Sequence, residues 1–143
     1  MGSLVQISVR EASDYFRGLL LLISKDGRIS EPENILVKRI GKSLGFEKYF
    51  CENAINEILE NEHVSIEPPK FSTIELAKKF IKDGLILAEA DSEIHGFEEV
   101  WLKSTAEKNC IDEEWFQREK ENIAGRRRDF EDRLEVDGLT VEY

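Results

Sequence analysis

Long apolar runs, paired cysteines and an excess of basic residues are all missing from this sequence, and each absence excludes something. The longest unbroken apolar run, Leu19 to Ile23, is far shorter than the ~20 residues a bilayer span needs. No basic n-region followed by an apolar h-region opens the chain, so no secretory signal is expected, and Met1-Gly2-Ser3 is set aside. The two cysteines, Cys51 and Cys110, show no CxxC spacing and suit free thiols in a reducing compartment. Only 20 Lys and Arg stand against 30 Asp and Glu, a net charge of -10. Nucleic-acid affinity comes mostly from Lys and Arg displacing counterions, so no nucleic-acid surface is expected. A cytoplasmic protein is the resulting expectation.

Three prolines and nine glycines leave long stretches unpunctuated. Within them apolar residues recur every three or four positions, the period of helices with one buried face. Ala12, Phe16, Leu19, Leu20 and Ile23 form one stripe, and Leu36, Val37, Ile40 and Leu44 the next. Ala54, Ile55, Ile58 and Leu59 follow, then Ile74, Ala77, Phe80, Ile81, Leu85 and Ala88. Val100, Trp101, Thr105 and Ala106 make a shorter one, and Phe116, Ile123 and Phe130 a narrow seam. Strand-like alternation is confined to Leu139–Tyr143. The fold class read from this is all-α, a single-domain bundle of six helices near 9–24, 31–44, 47–61, 73–90, 97–108 and 113–134.

Capping chemistry marks the helix starts. Ser8 to Glu11, Ser30 to Glu33 and Ser72 to Glu75 each match S-x-x-E, in which the hydroxyl and the carboxylate satisfy each other's backbone N–H groups. Pro32 suits a first turn, and Asp112 suits the start of the last helix.

Laid against itself with a shift of 65 positions, the chain repeats. Leu22 to Ile29 falls on Leu87 to Ile94, Glu33 on Glu98, Leu36 on Trp101 and Val37 on Leu102. Each copy is an apolar helix end, a turn carrying Asp, an Ile, and a new helix with Glu in its first turn. The expected domain spans 1–135, with pseudo-symmetric hairpin halves near 10–61 and 73–125 and a tail over 136–143. The Asp-to-Glu spacing is that of the second half of an EF-hand loop, but neither turn has the oxygen ligands of the first half. Two half-sites together would supply Asp26, Glu33, Asp91 and Glu98, enough for a hard divalent cation, Ca²⁺ or Mg²⁺ before Zn²⁺. Glu89 and His95 are secondary candidates. The bland alternative is that Asp26-Gly27 is a turn dipeptide and Glu33 only a capping partner.

With Leu20-x-x-Ile23-x-x-Asp26-Gly27-x-Ile29-x-x-x-Glu33 and its copy Leu85-x-x-Ala88-x-x-Asp91-Ser92-x-Ile94-x-x-x-Glu98, the chain resembles the TerB-like domain family. That family is known from tellurite-resistance proteins and from the N-terminal part of membrane-anchored DjlA co-chaperones. The resemblance covers residues 10 to 120 and implies an all-helical bundle with an acidic, divalent-cation site. It also implies a non-enzymatic stress-response role with a protein partner, in a complex that can be membrane-associated. The chain departs from the pattern at Ser92, where Gly is usual, and at Lys25, where a small residue is usual. The alternative function is a metal-independent acidic module that binds a protein partner. No catalytic constellation stands out, and His63 and Arg126-Arg127-Arg128 read as surface groups.

Overall fold

A computed structural model describes residues 5–24, 29–60, 67–89, 96–124 and 134–142. Among them the order is strand β1 (Val5–Ser8), helices α1 (Val9–Ile23), α2 (Glu31–Ser43), α3 (Lys48–Glu60), α4 (Ile74–Glu89), α5 (Gly96–Lys108) and α6 (Glu113–Ala124), a 3-10 turn (Glu135–Gly138), and strand β2 (Leu139–Glu142). The architecture is an all-α helical bundle with one small parallel strand pair.

The helices form where period and capping coincide. Ser30 and Glu33 make a complete capping box: the Ser30 hydroxyl accepts from Glu33 N (3.3 Å) and the Glu33 carboxylate accepts from Ser30 N (2.9 Å). At α1 the Ser8 hydroxyl accepts from Glu11 N, but the Glu11 carboxylate accepts from Ser72 N (2.8 Å) and so ties α1 to the approach to α4. At α4 the expected cap moves one place, from Ser72 to Thr73, whose hydroxyl accepts from Leu76 N (3.1 Å). Helix α6 is described as far as Ala124, and Leu134, the expected end of the sixth helix, is itself extended (φ -71°, ψ 133°) at the mouth of the 3-10 turn.

Helix α4 is the centre of the bundle. It is buried over most of its length and packs against α1, α2, α5, α6 and the 3-10 turn. Phe80 meets Tyr15 edge-on with ring centroids 5.4 Å apart, and also Phe71 and Trp101. Three residues of the expected stripes lie outside the core: Leu59, Ile74 and Val100 are exposed. Each stands at one end of its stripe. Cys51 is buried as a small hydrophobe, whereas Cys110 is exposed; both are free thiols.

The helix boundaries repeat at a fixed interval. Val9 and Ile74, Glu31 and Gly96, and Lys48 and Glu113 open three pairs of helices, each pair 65 residues apart. The endings of α2 and α5 repeat too. Gly45 N donates to Lys42 O and Phe46 N to Gly41 O; Cys110 N donates to Glu107 O and Ile111 N to Ala106 O. Both are Schellman endings, which need a left-handed residue at the turn: φ is 87° at Gly45 and 61° at Cys110.

Strand β1 was not expected from the alternation of four residues alone. It pairs in parallel with β2, from Val5 opposite Leu139 to Ser8 opposite Glu142. Leu134, Val136 and Leu139 are buried in the common core, so the segment 134–142 is built into the bundle.

Candidate functional site

The elbow carboxylates divide into a described and an undescribed set. Asp26, Asp91 and His95 lie outside the described residues, as do His63 and Arg126-Arg127-Arg128. Glu33 and Glu98 occupy the third position of α2 and α5, and both are buried, each 5 % exposed. Glu89, the last residue of α4, is 8 % exposed. Glutamate seldom sits that deep unless something engages it, and each of the three has a partner. For Glu33 one partner is the Ser30 backbone N–H. Among the described residues no group of three or more His, Cys, Asp or Glu side chains is arranged to hold a metal ion. Glu33, Glu89 and Glu98 therefore do not form such a group among themselves.

A fully buried carboxyl lies where periodicity does not single out a site. Asp83 is fully buried in α4. Its Oδ2 accepts from the Tyr15 hydroxyl (2.7 Å) and from Val136 N (3.0 Å), and its Oδ1 accepts from Glu135 N (2.6 Å). Burial pushes its carboxyl up to about 7, against the three donors, which hold it down; the Glu135 carboxylate adds a smaller upward push. Burial likewise raises the Tyr15 hydroxyl well above its ordinary value, with the charge of Asp83 second. The signal in the sequence is a polar residue inside a stripe, between Phe80 and Leu87.

Asn109 does comparable work at the end of α5. Its Oδ1 accepts from Phe71 N (2.8 Å), and its Nδ2 donates to Pro69 O (2.9 Å) and Thr105 O (2.8 Å). Next to it Lys108 donates to Pro68 O and pairs with Glu67 at 2.9 Å, which lowers the Glu67 carboxyl. Together they fasten the proline-bearing connection between the two sets of three helices.

Among the described residues an apolar groove of about 200 Å³ lies between α1 and α3, lined by Phe16, Leu20, Phe50, Ala54 and Ile58 with Arg17 and Glu57 beside them. Phe50 is half exposed at its edge, and neighbouring Tyr49 is 73 % exposed. At the corresponding place on α4 and α6, Lys78 lies over the Trp115 ring, 5.2 Å from its centroid. Among the described residues no helix is long and apolar enough to cross a membrane.

Comparison with known protein families, curated proteins and solved structures finds no match in any of the three.

Proposed function

We propose that the chain is a non-enzymatic, TerB-like helical module of the tellurite-resistance and stress-response type. In this reading its two elbows, related by duplication, hold one divalent cation, Ca²⁺ or Mg²⁺ before Zn²⁺. Asp26 and Glu33 would come from one elbow, Asp91 and Glu98 from the other. What supports it is the matched placement of Glu33 and Glu98: both third in their helices, 65 residues apart, and both withdrawn from solvent in a strongly acidic chain. A bound cation would offset the cost of withdrawing carboxylates and, by linkage, stabilise the folded form.

Thermal unfolding with and without Ca²⁺, Mg²⁺ and Zn²⁺ tests it. At an ion concentration about a hundred times Kd the linkage is worth about 2.7 kcal/mol, roughly 5–10 °C in Tm for a chain of this size. The double variant Asp91→Asn, Glu98→Gln should lose the shift. A parent protein whose Tm ignores all three ions discards the reading.

The exposed Tyr49 and Phe50 beside the α1–α3 groove favour a second reading, an acidic module that binds a protein partner without metal. Capture of that partner would then survive EDTA and fail at high salt.

A further inference from the structure

Two stretches of chain are fastened to the helices by backbone N–H groups reaching a single buried side chain. Phe71 N reaches Asn109 Oδ1 at the end of α5. Val136 N, 65 residues on, reaches Asp83 Oδ2 in α4, and Glu135 N reaches Asp83 Oδ1. One anchor is an amide, which has no charge to lose. The other is a carboxyl.

We propose that residues 134–142 form a pH-responsive clasp, seated on Asp83 in its closed position and loosened as the pH rises. Release takes β2 off β1, baring the backbone edge of Val5–Ser8 and the apolar seat of Val136 and Leu139.

Burial sets the direction, and among the described residues no opposite charge counters it. From α1 Asp83 receives only the neutral Tyr15 hydroxyl. On α4, Lys82 pairs with Glu135 (3.3 Å), and Lys79 reaches toward Gly138. From α2, Arg39 and Ser43 are taken by Asp137. Among the described residues of α5 and α6 no charged group contacts Asp83, and the one charge that acts on it, Glu135, is of the same sign. Among the described residues, an ionised Asp83 in the closed clasp thus has three hydrogen-bond donors but no cation in contact with it. Opening admits water and returns the carboxyl to its ordinary range.

The closed form therefore holds the proton more tightly, and opening releases it near neutrality. With a closed value of about 7 against 3.8, linkage raises the opening constant about tenfold from pH 6 to pH 8.

Amide hydrogen exchange by NMR on the full chain reads this directly, with Phe71 as the internal reference. After correction for intrinsic exchange, the protection of Glu135 and Val136 relative to Phe71 should fall about tenfold between pH 6 and pH 8. Asp83→Asn should make that ratio independent of pH. Tyr15→Phe keeps the ring, removes one donor from the carboxylate, and should move the fall to higher pH. A constant ratio in the parent, or a fall that persists in Asp83→Asn, overturns the proposal. Should Asp83→Asn not fold, the Tyr15→Phe profile decides: a shifted fall supports the clasp, and an unchanged one overturns it.

Discussion

Gly45 and Cys110 stand at the same place in two matching helix endings, both in the left-handed region, yet only one of them is glycine. A side chain in that region crowds its own backbone, at roughly 1 kcal/mol for a residue without glycine's freedom. Cys110→Gly should therefore stabilise the protein by about 0.5–1 kcal/mol, and Gly45→Ala should destabilise it by about 1 kcal/mol. Urea midpoints of the two variants check the pair, and a loss of stability in Cys110→Gly would contradict it.

The contact between α2 and α3 is set by another glycine. A Cβ on Gly41 would stand 2.5 Å from Cys51 Sγ and 3.0 Å from the Phe16 ring. Gly41→Ala should cost about 1–3 kcal/mol through overpacking. Adding Cys51→Ala should recover part of that loss, since the sulfur is the nearest obstacle. Additive losses in the double variant would show that the clash lies elsewhere.

Truncating Asn109 removes three hydrogen bonds at once. Phe71 N would lose its acceptor inside the protein, and Pro69 O one donor. Asn109→Ala should lower stability by about 2–3 kcal/mol. Asn109→Asp keeps the acceptor for Phe71 N and, when protonated, can replace at most one of the two donated bonds, so it should fall between parent and alanine at low pH. Denaturant titration at pH 4 and pH 7 orders the three proteins.

Asp83 makes a distinct contribution to global stability. Its folded value, about 7, lies above the ordinary 3.8, so its contribution is fully present below 3.8 and is lost as the pH rises through 7. The loss amounts to up to about 4 kcal/mol from this group. Stability of the parent minus that of Asp83→Asn should accordingly decline from pH 4 to pH 8. A difference that grows with pH would reverse the assignment.

Helix positions were readable because the signals that define them are local. Ser30 and Glu33 cap each other three residues apart, and each described helix begins within a residue of where period and capping place it. The equivalence of Glu33 and Glu98 was readable for the same reason, since a spacing can be compared with itself. Their depth was not, because burial depends on which helices cover them. Asp83 was hidden more thoroughly: two of its donors are backbone groups 52 and 53 residues away, and backbone N–H groups leave no mark in the residue types. Strand β1 was missed on the same grounds, its partner lying near the far end of the chain.

The parallel register of β1 and β2 has a mechanical consequence. Val5 lies beside Leu139 and Ser8 beside Glu142, so the outward-leading ends of the two strands sit at opposite ends of the ladder. Tension applied through those ends slides one strand along the other and loads the whole row of bonds in shear, where an antiparallel hairpin would unzip bond by bond.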